Sequence, residues 1–187
     1  MIRTFIAIPL PENVIESLTD LIEKLKPILP KVSWVKPHNI HLTLKFLGNI
    51  QENETLKIKQ AIEESSFKIK YFSLAGYSLS VFPNIKRARV IWTGLKGDLD
   101  ILKKLHNALE EKLNILGFPK EDRAFTPHLT LGRIKKAINS QILANTLKKH
   151  TDFSTPSFIV KEIVLFRSDL NPKGAIYTPL EKVFLKE

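Results

Sequence analysis

The tetrapeptide His41-Leu42-Thr43-Leu44 recurs unchanged as His128-Leu129-Thr130-Leu131. Side chains alternate between the two faces of a strand, so each copy sets a histidine and a threonine on one face and two leucines on the other. A chain that spells this twice is expected to present two equivalent strands, each with a polar face open to chemistry and an apolar face that has to be packed. Histidine is the side chain whose unperturbed proton affinity lies near neutrality, so two of them in matching frames read as an acid and a base.

The flanks repeat as well. Phe5-Ile6-Ala7-Ile8 precedes a helical pattern with Ile15, Leu18, Ile22 and Leu25 on one face, and Val90-Ile91-Trp92 precedes a stronger one carrying Leu99, Leu102, Leu105, Leu109, Leu113 and Leu116. Each block is predicted as strand, amphipathic helix, turn and His-x-Thr strand, spanning 36 residues from Phe5 to His41 and 38 from Val90 to His128. Two related lobes follow from this pattern. The remaining signals predict a short strand at Val32-Ser33-Trp34-Val35, a helix over residues 53–65, and two strands from the alternations Phe67, Ile69, Tyr71 and Tyr77, Leu79, Val81. A turn at Phe82-Pro83-Asn84, a helix over 140–149 and late strands over 158–166 and 177–185 complete the reading.

With 187 residues at 43% hydrophobic content, the chain can bury the core of one unit, residues 1–187, built of two packed lobes. No run approaches the ~20 apolar residues that cross a bilayer, and Met1-Ile2-Arg3-Thr4 lacks a secretory layout, so a cytoplasmic protein without a membrane partner is expected. The absence of cysteine excludes disulfides, thiolate nucleophiles and cysteine zinc sites. Twenty-nine Lys and Arg against 19 Asp and Glu give a formal charge of +10, which favours a polyanion such as nucleic acid. The densest basic cluster is Lys86-Arg87-Ala88-Arg89, where Arg87 and Arg89 share strand parity; they could flank a phosphate backbone or form a solvated strand end.

Two histidines on opposed strands, each followed by a threonine, can hold a phosphate between them. One imidazole takes a proton from the nucleophile and the other gives one to the leaving oxygen, while the Thr43 and Thr130 hydroxyls bind the nonbridging oxygens. A hydrogen-bonded strand histidine beside a β-favouring threonine is the bland reading of either motif alone. Zinc ligation would need a third ligand, and no His-Glu-x-x-His spacing occurs; no Gly-x-Ser-x-Gly elbow supports a serine nucleophile. Lys45 shares the catalytic parity and either helps to hold nucleic acid or is an exposed strand-end lysine. Phe46, with the parity of Leu42 and Leu44, is expected in the core rather than as a base-stacking platform, and Tyr177 as a sheet residue rather than a base-stacking side chain at the cleft. His106 reads as a partly buried helical residue, His38 as a loop residue at the cleft mouth, and His150 as a complement to a helix C-terminus.

The segments His41-Leu42-Thr43-Leu44-Lys45-Phe46-Leu47-Gly48 and Thr126-Pro127-His128-Leu129-Thr130-Leu131-Gly132-Arg133 resemble the paired motifs of the 2H phosphoesterases. Phe5-Ile6-Ala7-Ile8-Pro9, Phe82-Pro83-Asn84, Arg89-Val90-Ile91-Trp92 and Leu165-Phe166-Arg167-Ser168 extend the similarity to the RNA 2′,3′-cyclic phosphodiesterases, also called 2′-5′ RNA ligases. The resemblance implies a bilobal, pseudo-two-fold α+β fold in which two antiparallel sheets line a central cleft with helices outside. It implies metal-independent hydrolysis of RNA 2′,3′-cyclic phosphate ends to 2′-phosphates, with His128 as proton acceptor, His41 as proton donor, and Thr43 and Thr130 on the charged oxygens. No cofactor or metal is implied. RNA with a cyclic phosphate end, tRNA fragments among the substrates, is the implied partner, and a monomer is expected. Ligation to a 2′-5′ linkage at the same site, or RNA binding without catalysis, are the alternatives. Arg133 matches a basic position after the family's second motif, yet ideal alternation sends it to the packed face, and only a bend or bulge near Gly132 would turn it inward.

Overall fold

In a computed structural model describing residues 1–172 and 174–187, both repeated blocks form in the expected order. The first is strand β1 (Ile2–Pro9), helix α1 (Glu12–Leu25), a short strand β2 (Val32–Trp34) and strand β3 (His41–Ile50). After helix α2 (Thr55–Ser66) and strand β4 (Phe72–Phe82), the second block runs β5 (Val90–Gly97), α3 (Leu99–Ile115) and β6 (Leu129–Ile134). Helix α4 (Ser140–Lys149) and strands β7 (Phe158–Val160), β8 (Glu162–Asn171) and β9 (Gly174–Phe184) follow.

The strands are ordered β7-β4-β5-β6-β3-β1-β8-β9, all antiparallel, with β2 also paired to β6. The sheets of the two lobes meet at one residue pair, Leu42↔Leu129, the first leucine of each motif. The pseudo-two-fold relationship therefore passes between the two motif strands, and the sheet curls across that seam. Each lobe borrows from the other half of the sequence: β8 completes the sheet of β1, while β2 pairs with β6.

The four motif leucines are buried, as are Leu18, Leu21, Ile22 and Leu25 of α1 and Leu102, Leu105, Leu109 and Leu113 of α3, all within one apolar cluster. Burying each such side chain contributes roughly 1.5–3 kcal/mol, so the apolar helix faces dictate how the helices back the sheet.

Two expectations are corrected. Phe67, Ile69 and Tyr71 do not form a strand. Helix α2 runs on to Ser66, where Ser65 and Ser66 return their hydroxyls to the carbonyls of Ala61 and Ile62, so Phe67 becomes the helix cap and only the isolated bridge Lys70↔Lys186 precedes β4. The apolar run 158–166 is two strands, because Lys161 separates β7, which pairs with β4, from β8, which pairs with β1. Among the described residues, no helix is long and apolar enough to cross a membrane.

Candidate active site

His41 and Thr43 on β3, His128 immediately before β6 and Thr130 on it line one cleft of about 380 Å³ together with Arg3, Phe5, Asn39, Phe46, Arg133 and Tyr177. Each histidine is held in the same way. His41 Nδ1 donates to the carbonyl of Asn39 at 2.7 Å, and His128 Nδ1 donates to that of Thr126, also at 2.7 Å. A carbonyl oxygen only accepts, so the proton sits on Nδ1 and Nε2 is the nitrogen left to exchange protons with a substrate. Pro37 begins the single 3₁₀ turn ahead of His41, and the Asn39 side chain donates to the carbonyl of Ala175 at 2.8 Å, fixing the backbone that orients the ring.

The rings around the two imidazoles differ. Phe5 stacks on His41, and Tyr177 meets it edge-on at 5.3 Å between centroids. Phe82 and Trp92, themselves stacked, meet His128 edge-on at 5.0 and 5.8 Å. Burial holds the pKa of His41 below the ordinary imidazole value; the Asn39 carbonyl opposes this, and the nearby His128 charge adds to it.

A second device is repeated in both motifs. On β1, Ala7 pairs with Thr43 and the preceding Ile6 with Lys45, leaving Leu44 as an extra residue; on β5, Trp92 pairs with Thr130 and Ile91 with Gly132, leaving Leu131 extra. The second leucine of each motif is thus a β-bulge, and side-chain parity inverts after it. Arg133 is turned into the cleft in this way and is exposed. In the first motif the same inversion overturns two expectations. Phe46 is no core residue: it is 59% exposed and lines the cleft. Lys45, expected on the catalytic face and available to RNA, is 3% exposed on the packed side. There its Nζ lies 2.7 Å from Glu110 Oε1, an ion-pair contact too poorly aligned to count as a hydrogen bond, and donates to the carbonyl of Pro119 at 2.6 Å.

Arg87 and Arg89 do not line the catalytic cleft. With Lys86 and Lys136 they rim a separate groove of about 340 Å³ floored by Ile134, Ile138 and Leu143. Among the described residues no carboxylate lines this groove, and none of its four cations has an ion-pair partner. Of the other histidines, His106 is buried in α3, His38 lies in the 3₁₀ turn beside the cleft, and His150 follows α4 with Nδ1 bonded to Thr146. Sequence reasoning gave no site role to Arg3, Asn39 or Phe82; only the identity of the motifs, which transfers the bulge considered at Gly132 to Leu44, could have found Phe46. No cluster of three His, Asp or Glu able to hold a metal occurs among the described residues.

The family model of LigT-like phosphoesterases matches residues 8–92 and 98–177. The chain belongs to the LigT-like phosphoesterases. An RNA 2′,3′-cyclic phosphodiesterase of Methanocaldococcus jannaschii is 35% identical over 183 residues, 96% of this chain and 99% of that protein. One of Thermotoga maritima is 34% identical over 181 residues, covering 95% and 92%. Among solved structures, the protein TT0787 of Thermus thermophilus superposes with a TM-score of 0.78 at 29% identity, covering 98% of both chains. E. coli LigT complexed with 3′-AMP superposes with a TM-score of 0.78 at 26% identity, covering 100% of this chain and 99% of that one. This LigT-like phosphoesterase therefore shares its fold over its full described length with a relative that accepts a nucleotide.

Proposed function

We propose that this LigT-like phosphoesterase hydrolyses RNA 2′,3′-cyclic phosphate ends to 2′-phosphates without a metal. The observation that carries the reading is the pair of Nδ1-anchored imidazoles, each with its threonine, facing one cleft whose described lining residues include no carboxylate. Relatives named for this activity and the 3′-AMP held by E. coli LigT support the substrate class.

In the reaction His128 takes a proton from water as its oxygen bonds to phosphorus, and the bond from phosphorus to O3′ breaks opposite as His41 Nε2 protonates the departing oxygen. Thr43 and Thr130 donate to the nonbridging oxygens, and Arg133 balances their charge. The anionic phosphate favours the charged form of His41, offsetting the burial that lowers its proton affinity in the free protein. Phe46, exposed beside Thr43, offers a face to the terminal base. The Arg87 and Arg89 groove takes backbone phosphates further along the RNA. Replacing water by a 5′-hydroxyl end gives the 2′-5′ ligation at the same site.

The experiment is incubation of a short RNA bearing a 2′,3′-cyclic phosphate with the protein in EDTA, the product identified by phosphorus NMR. A 2′-phosphate is expected, with kcat lowered at least ~100-fold in His41→Ala and in His128→Ala while both stay folded. An unchanged cyclic end, or full activity in both variants, overturns the reading.

A further inference from the structure

The segment 116–128, between α3 and β6, has no regular secondary structure, yet it supplies both His128 and the Thr126 carbonyl that orients its ring. Such a segment is held only where its backbone groups find buried partners. It finds them in a polar cluster that the reaction does not use. Lys45 Nζ donates to the carbonyl of Pro119 at 2.6 Å. Glu110 Oε2 accepts the backbone N–H of Glu121 at 2.8 Å, while Oε1 faces Lys45 at 2.7 Å. One turn earlier on α3, the His106 ring lies flat on Phe125, with centroids 3.8 Å apart and 8° between planes. These contacts fall at residues 119, 121 and 125, along the interior of the segment, and the last stands three residues before His128.

Lys45 and Glu110 are 3% and 8% exposed. A buried ion pair contributes little net stability compared with well-packed apolar side chains, so packing alone does not explain its presence. Its cation comes from the strand that carries His41 and Thr43, and its carboxylate from the helix that precedes His128. We propose that Lys45 and Glu110 are positioning residues that clamp the 116–128 segment, so that the first motif's strand sets the placement of the second motif's histidine. The bulge at Leu44 is what delivers Lys45 to this task, and in the second motif the matching position is Gly132, which has no side chain to offer.

The kinetic part of the test rests on the phosphodiesterase reading, and the spectroscopic part does not. The full chain carrying Lys45→Met with Glu110→Leu replaces the pair by apolar side chains of similar size, which preserves folding while removing the partners of Pro119 and Glu121. The expected result is a kcat about 10- to 100-fold lower with KM within threefold, since small misplacements of a reacting group have effects of that size. In histidine NMR at a pH where both imidazoles are neutral, the His128 ring signals move while those of His41, on the mutated strand, stay. Wild-type kcat with an undisplaced His128 overturns the proposal, and so does a change confined to His41. Glu110→Gln alone, which turns an amide N–H2 toward the buried Lys45 ammonium, is expected to lower kcat at least as much as the double variant; wild-type kcat in it counts against the clamp. If the double variant does not fold, the Glu121 amide of the wild-type protein decides: exchange as slow as in the strands is expected, and free exchange overturns the clamp. If the wild-type protein hydrolyses no cyclic phosphate, the functional reading fails, while the His128 ring signals and the Glu121 amide still report on the clamp.

Discussion

Phe5 and His41 stack with ring centroids 4.8 Å apart and 29° between planes, whereas His128 meets its aromatic neighbours only edge-on. The two imidazoles are thus tethered alike through Nδ1 but surrounded differently. A pseudo-two-fold site acquires direction in this way: a histidine pressed under a phenyl ring pays for carrying charge, and its partner at the mouth of the second motif has a different environment.

The first expected outcome concerns pH. Burial lowers the pKa of His41, the Asn39 carbonyl opposes this, and the His128 charge reinforces it. As the acid, His41 must be protonated, so one limb of the kcat/KM profile of the free enzyme lies below the ordinary imidazole value. Phe5→Ala admits water to the ring and moves that limb to higher pH, read from kcat/KM against pH and from the His41 NMR titration. A limb that stays in place shows that Phe5 is not the source of the burial. The same shift acts on stability: the unfolded chain binds this proton more tightly, so the His41 contribution is complete above about pH 6.5 and is lost as pH falls toward the folded pKa.

The block order, the helix faces of α1 and α3, and the polar face of each motif were legible in the sequence because periodicity reports which face is buried. Ideal alternation carried His41 and Thr43 correctly onto one face and then failed at Lys45 and Phe46. A bulge is set by pairing with another strand, here Ile6 and Ala7 opposite Thr43, Leu44 and Lys45, and no local pattern encodes it. Tyr177 shows the same limit from the other side. Its position in β9 was readable, but its edge contact with His41 depends on β8 and β9 joining the first lobe from the far end of the chain.

Phe46→Ala separates substrate binding from folding. At 59% exposure the ring adds little to the core, so the melting temperature should change little. Stacking of a base on an aromatic ring is worth about 1–3 kcal/mol, which corresponds to a KM raised by ~5- to 150-fold for a cyclic nucleotide, with kcat less affected. An unchanged KM would remove Phe46 from the substrate site.

The groove rimmed by Arg87 and Arg89 makes a different demand. Cations that meet only backbone phosphates favour long substrates and lose their effect with salt. Arg87→Ala with Arg89→Ala should lower kcat/KM several-fold for an oligonucleotide ending in a cyclic phosphate at low salt, and leave a mononucleoside cyclic phosphate unchanged. Equal losses on both substrates would tie these arginines to the fold instead, and no loss on either would leave the groove without a role in RNA binding.

Gly132→Ala tests whether the second bulge is held in place by its neighbours. A Cβ at this position would sit 2.5 Å from Val32 Cγ1 and 2.9 Å from Trp34 Cε3, both on β2, which pairs with β6 through Val32↔Ile134, Ser33↔Arg133 and Trp34↔Gly132. Val32 is buried and stiff about χ1, so it cannot simply swing aside, and the strand itself must shift. Overpacking of this kind costs about 1–3 kcal/mol, equivalent to a melting temperature lower by roughly 2–12 °C for a chain of this size. Because Arg133 follows immediately on the strand and enters the cleft only through the bulge, KM for a cyclic phosphate should rise as well. Adding Val32→Ala makes room for the new methyl group and should recover part of both losses. A Gly132→Ala protein with wild-type melting and wild-type KM would show that β2 yields freely, and that the bulge at Leu131 places Arg133 without help from its neighbour.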